Sequence, residues 1–238
     1  MSDALYEKRV QCLYCHTSFG SMRVRISKIK ASKRDTDFCT YFIGENPMFY
    51  EFYNCPHCGL AFTDSFSPIK GQARERIKYE YIDKIEVTNC CGSRTLKEAI
   101  RGYKLTLLCA NILNEKTLTI ANLCMRIAWL QRYAGNHEEE RRFLQNAVNF
   151  YEQIYQTQSL ATLPMEEGKL LYLIGEIHGR LDHYDKTRSW FSYVLTAKHI
   201  DSKWKSLVRD RWFDIKSTHS TQTDDPDGYN ELSTGRKG

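Results

Sequence analysis

Cys12-Leu13-Tyr14-Cys15 and Cys55-Pro56-His57-Cys58-Gly59 decide how the first part of this chain is read. A Cys-x-x-Cys turn aims two thiolates at one point, and two such turns complete a tetrahedral shell with sulfur about 2.3 Å from a Zn²⁺ ion. Proline after Cys55 and glycine after Cys58 suit a tight knuckle whose backbone N–H groups point at sulfur. Four thiolates leave no open coordination position. Cys12, Cys15, Cys55 and Cys58 are therefore expected to hold a structural zinc ion rather than a catalytic one. His16 and His57 sit within the knuckles and either can replace a thiolate, but four sulfurs are the simpler set.

The 39 residues between the pairs must fold back on themselves to bring the sulfurs together. Met22, Val24 and Ile26 alternate with Arg23, Arg25 and Ser27, a period of two that predicts a strand with apolar and cationic faces. Phe38–Ile43 and Phe49–Tyr53 are aromatic and β-branched runs separated by Gly44-Glu45-Asn46-Pro47, which predicts a hairpin delivering the chain into Cys55. Residues 60 to 70 read as irregular, ending near Pro68.

After about residue 93 the period becomes 3.6. Thr95-x-x-Glu98 is a capping-box pattern, followed by Ile100, Tyr103, Leu107 and Ala110. A second helix carries Ile120, Leu123, Cys124, Ile127 and Ala128 and breaks at Gly135-Asn136. The third has the cleanest apolar stripe: Leu144, Ala147, Val148, Tyr151, Ile154 and Tyr155. After Pro164 come a fourth (Leu170, Ile174, Ile177, Leu181), a fifth (Trp190, Phe191, Val194, Leu195) and a weaker sixth over about Lys203 to Lys216. The blocks around Ala128 and Gly175 align 47 residues apart, each with a small residue mid-helix, a tight turn and a second helix. This is similar to the tetratricopeptide helix pair, although Glu140 and Thr187 stand where a small residue is expected.

The fold class is thus α+β. A zinc-ribbon-like β module over 1–92 is followed by a tetratricopeptide-like all-α array over 93–216, with a tail over 217–238 too poor in apolar residues to order itself. Hydrophobic residues at 42% can supply a real core for a chain of 238. No apolar run is long enough for a signal peptide or a membrane span, and nine cysteines is an odd number. Both point to a cytoplasmic protein without membrane contact, in which cysteine patterns mean metal or catalysis rather than disulfides. Cys109 and Cys124 fall on helix faces and read as core. Cys39, Cys90 and Cys91 read as structural filler, since no base is positioned to activate them.

Tyr6-Glu7-Lys8, Asp35-Thr36-Asp37-Phe38-Cys39, Asn46-Pro47-x-Phe49-Tyr50-Glu51, Cys55-Pro56-x-Cys58-Gly59-x-Ala61, Ala128-Trp129 and Leu173-Ile174-Gly175-Glu176 together resemble a set of uncharacterised bacterial proteins. These are common in Gram-positive species and grouped as domain of unknown function 2225. The resemblance covers about residues 5 to 215. Leu13 stands where the family usually has proline in the first knuckle, which leaves the ligands intact. The resemblance implies a zinc-ribbon-like start and a tetratricopeptide-like end, and it implies no activity.

Three functions compete. Stacked helix pairs leave a concave face for a protein or peptide, which makes a non-enzymatic, zinc-binding adaptor the leading expectation, with Arg126, Trp129 and Arg132 as candidate contacts. The net charge of +5 is mild, but Arg23, Arg25, Lys28, Lys30, Lys33 and Arg34 hold six cations and no acid between residues 23 and 34. Beside Phe38 and Tyr41 they make nucleic-acid binding the alternative, against the plainer reading of a solvated strand face. A cysteine-dependent enzyme using Cys39 or Cys90 is third. Asp35 and Asp37 read as a solvated turn, or as groups orienting nearby cations, or with Glu45 as a hard-cation site.

Overall fold

Strand β1 (Leu5–Gln11) pairs antiparallel with β2 (Ser18–Val24), Leu5 opposite Val24 and Gln11 opposite Ser18, so that their connecting turn carries Cys12 and Cys15. The structure, a computed structural model, describes residues 3–159 and 163–223. Nothing in β1 alternates cleanly, since Leu5 and Val10 are its only aliphatic residues; it forms because β2 supplies its ladder partner. The apolar alternation read from Met22 to Ile26 stops at Val24. Val24 packs with Leu5 and Tyr50, whereas Ile26 enters a 3₁₀ turn (Ile26–Lys28) and is 67% exposed.

The expected pairing of 38–43 with 49–53 does not occur. Strand β3 (Lys30–Arg34) pairs instead with β4 (Thr40–Ile43), with a bulge between Ala31 and Lys33. The turn joining them closes where the Asp35 N–H donates to the Cys39 carbonyl at 2.8 Å and the Phe38 N–H to Asp35 at 2.9 Å. Gly44 to Pro47 is no hairpin turn, because Pro47 opens a 3₁₀ helix (Pro47–Tyr50) capped by Asn46, whose side chain accepts from the Met48 N–H at 3.0 Å. Strands β5 (Tyr53–Asn54) and β6 (Ala61–Phe62) form a third short pair whose turn carries Cys55 and Cys58.

Helix α1 (Gln72–Ile77), which the sequence reading lacks, runs into one π-helical turn (Lys78–Ile82). The six later helices follow the 3.6-residue period closely: α2 (Leu96–Leu113), α3 (Thr117–Tyr133), α4 (His137–Thr157), α5 (Glu167–Arg180), α6 (Tyr184–Thr196) and α7 (Ser202–Thr223). Thr95 and Glu98 make the full reciprocal capping box. Asn136 caps α4 through the Glu139 N–H at 3.1 Å, while the Glu139 carboxylate turns away to Lys104 and Arg142. Helix α7 continues past Lys216, so 217–223 are helical; the rest of the expected tail, 224–238, lies outside the described residues.

Consecutive helices from α2 to α7 pack on one another, and α7 also lies on α5. One apolar core runs from Cys12, Phe52, Tyr53 and Leu60 through Tyr103, Ile127 and Val148 to Ile177. The change of secondary structure near residue 92 is therefore not a break in packing. Two residues hold that junction. Gly102 lacks a Cβ, and one placed there would meet Phe52 Cζ at 2.0 Å, so the ring rests on the backbone of α2. Arg94, 6% exposed, donates to the carbonyls of Phe49 (2.9 Å), Phe52 (3.0 Å) and Cys90 (2.8 Å) and to Ser21 Oγ (3.2 Å). Among the described residues no helix is long and apolar enough to cross a membrane.

Candidate metal centre and binding cleft

Each knuckle is built the same way. The residue after the second cysteine is left-handed, His16 at φ 60° and Gly59 at φ 77°. Its N–H returns to the carbonyl of the first cysteine, at 3.1 Å for His16 to Cys12 and 2.9 Å for Gly59 to Cys55. The Tyr14 N–H points at Cys12 Sγ from 3.4 Å. Neighbouring elements hold both turns: Tyr81 donates to the Gly59 carbonyl at 3.0 Å, and Arg74 to the Tyr14 carbonyl at 2.6 Å.

The four sulfurs lie within 4.8 Å of one another, with Cys12 to Cys58 and Cys15 to Cys55 each at 3.6 Å. Tetrahedral sulfur at about 2.3 Å from one ion requires an edge of about 3.8 Å, whereas a disulfide requires about 2.05 Å. The cluster therefore has the dimensions of a metal site and not of a covalent pair. Hydrogen bonds from Cys12 and Cys58 hold the Cys55 thiol well below its ordinary value, and the hydrogen bond to Cys55 raises Cys12. Donor type, spacing and burial fit a soft tetrahedral cation. His16 and His57 are exposed and outside the cluster.

The remaining thiols sit in different surroundings. Burial pushes Cys39 up to about 11 and Cys109 and Cys124 to about 12, and it raises Cys91 as well. Each is moved away from the thiolate that a nucleophile requires.

Asp35 and Asp37 are not a solvated turn. Asp37 is fully buried and accepts from Arg132 Nη2 at 2.6 Å and from the Trp129 indole at 2.9 Å. Arg132 also holds Asp35 at 2.8 Å and Glu140 at 2.7 Å. Burial alone would raise Asp37 and lower Arg132. The hydrogen bonds between them outweigh it, leaving Asp37 below and Arg132 above their ordinary values. Glu140 thus departs from the small residue expected at its position because it completes this cluster. Next to it, Glu176 is buried between Arg180 (2.8 Å) and Arg211 (2.5 Å) and accepts from Thr36 Oγ1 at 2.5 Å.

Trp129 and Arg132, two of the candidate contacts, are therefore committed internally, and for Trp129 this is the burial that its place beside the packing stripe also allowed. Trp129 is 8% exposed. Arg126 stays partly accessible, paired with Glu51 at 2.9 Å and lying over the Trp129 ring. The basic stretch is likewise divided. Arg23 bonds Tyr53 and Asp64, Arg25 donates to the Leu5 carbonyl at 2.6 Å, Lys28 pairs with Asp3 and Lys33 with Asp35. Lys30 and Arg34, on exposed β3, have no ion-paired carboxylate among the described residues.

Docking of the β3–β4 hairpin against α3, α4 and α5 leaves a cleft of about 670 Å³. Its walls are Phe42 and Met48 on one side and Met125, Met165 and Leu173 on the other, with Arg34, Arg126 and Lys169 and the acids Asp37, Glu51 and Glu166 among the polar positions. A second cavity of about 280 Å³, reaching Arg23, Thr63 and Asp64, shares Glu51, Asn122 and Arg126 with the first. The Arg126–Glu51 pair thus lies between the two cavities and lines both. Sequence reasoning missed Glu51, Asn122 and Lys169 because each is an ordinary polar residue beside an apolar stripe, and only tertiary packing brings them together.

Fold and site define an α+β protein in which short antiparallel strand pairs carry a four-cysteine cluster and pack onto a run of helices. Residues 5–215 match the model of a family described as an uncharacterised protein conserved in bacteria, domain of unknown function 2225, and the chain belongs to that family. No curated protein and no solved structure matches it.

Proposed function

We propose that this chain is a zinc-stabilised, non-enzymatic adaptor of the cytoplasm that holds an extended segment of a partner protein in the groove between β3–β4 and α3–α5. The observation that carries this reading is a pair of neighbouring cavities that share Glu51, Asn122 and Arg126 and mix apolar with polar lining groups along one face. Zn²⁺ is the ion that four thiolates at this spacing suit best. With no open coordination position it supplies folding energy, not chemistry. The helices read as a tetratricopeptide-like array. Nucleic-acid binding through residues 23–34 is the weaker reading, because Arg23, Arg25, Lys28 and Lys33 already have internal partners.

A photo-crosslinking residue placed at Asn122 in the groove, with a control at Leu108 on the exposed side of α2, tests the reading in the native host. Asn122 is expected to give a discrete adduct with another protein that Leu108 does not give. Adducts from neither position, or the same from both, would remove the groove as the binding surface.

A further inference from the structure

Three cations, Arg34, Arg126 and Lys169, and three acids, Asp37, Glu51 and Glu166, line the groove, and each acid is already ion-paired. Glu51 is taken by Arg126, Asp37 by Arg132, and Glu166 by Lys203 at 2.7 Å and the Trp204 indole at 2.8 Å. What remains is Arg34 from β3 and Lys169 from α5, both lining the groove and neither ion-paired to a carboxylate among the described residues. Both cations lie over the ring of one residue, Phe38, at 4.8 Å and 5.7 Å from its centroid.

Phe38 itself has φ 71°, a left-handed backbone that a bulky side chain adopts only when its surroundings force it. Those surroundings are explicit. Asp37, the residue before it, is fixed by Arg132, and the ring is held by Tyr172 at 5.5 Å and Trp204 at 6.3 Å. The strained turn fixes an aromatic platform in the lining of the groove, with one cation packed on it from each of two elements and neither cation ion-paired among the described residues.

We propose that the groove takes an acidic protein segment, one carboxylate lying between Arg34 and Lys169 and neighbouring apolar side chains entering among Met48, Met125 and Leu173. The proposal rests on the groove reading above and adds the chemistry of the occupant. Two cations with no ion-paired carboxylate among the described residues, set beside apolar lining groups, match a single carboxylate. They are too few to match the repeated charges of a phosphate backbone.

Panning the full-length chain against displayed random dodecapeptides tests this. The expected pool is enriched in Asp and Glu next to apolar residues. Its members bind about tenfold or more weakly to Arg34→Glu/Lys169→Glu, as for loss of a charge pair, and also weakly to Asn122→Trp, which fills the groove. Arg34→Gln/Lys169→Gln serves as the milder pair should the reversal unfold the chain. A pool without acidic enrichment, or one sensitive to Asn122→Trp but indifferent to both charge variants, overturns the acidic assignment and leaves the groove reading standing. No pool, or one indifferent to all variants, overturns both. A labelled uridine dodecamer that outcompetes the selected peptides and is released by the charge variants makes the occupant nucleic acid, which also overturns the proposal.

Discussion

Asp37 Oδ2 and Arg132 Nη2 lie 2.6 Å apart, across 95 residues of sequence, with the aspartate fully buried and the arginine side chain 10% exposed. This contact locks the tip of the β3–β4 hairpin onto α3 and so shapes one wall of the groove. Removing one member of such a pair strands the other in a dry site. Arg132→Ala and Asp37→Ala should each destabilise by about 3–5 kcal/mol, and the double substitution should cost clearly less than their sum. Urea unfolding of the four proteins in the cycle measures this. Additive losses below about 1 kcal/mol would place the pair among weak surface bridges.

Gly102→Ala should destabilise the chain although alanine favours helix by about 1 kcal/mol. The new Cβ would fall 2.0 Å from Phe52 Cζ, and overpacking of this kind costs about 1–3 kcal/mol. Phe52 precedes the second knuckle, so the same substitution should also speed metal loss to a chelator. Thermal unfolding and a chelator competition read the two effects. A raised midpoint would mean that the ring moves aside freely.

His178 gives the structure an acid limit. Its ring is fully buried, with Nε2 2.9 Å from Glu152 Oε1 on α4 and Nδ1 3.1 Å from His183 Nδ1 at the start of α6. Burial lowers its pKa from the ordinary 6.5, opposed by Glu152 and assisted by Lys186 and His183. The unfolded chain therefore takes up the proton first, and stability present above about pH 6.5 is lost as pH falls toward the lower folded value. Urea midpoints at pH 7.5 and 5.5 should drop for the parent chain and drop less for His178→Gln. Equal drops would assign the acid sensitivity to other groups.

Local signals carried much of the fold and little of the site. The knuckles were legible because their spacing is itself the ligand geometry, and the cap at Thr95 because it involves residues three apart. The partner of β4 was not legible. Both 30–34 and 49–53 were within reach of it, and the choice was made by Pro47 opening a helix and by Asp37 finding Arg132. Strand β1 was missed because it exists through its neighbour, and for Trp129, which the sequence leaves equally open to burial or contact, the buried acceptor lies 92 residues away.

X-ray absorption at the zinc edge, on full-length chain purified without added metal, tests the metal centre most directly. The expected result is one zinc per chain with four sulfur neighbours at about 2.3 Å. Metal and cooperative unfolding should both be lost in Cys55→Ser, in keeping with the roughly 10 kcal/mol that such a site contributes to folding. A chain that carries no metal, or binds it through nitrogen or oxygen in place of these sulfurs, contradicts the assignment.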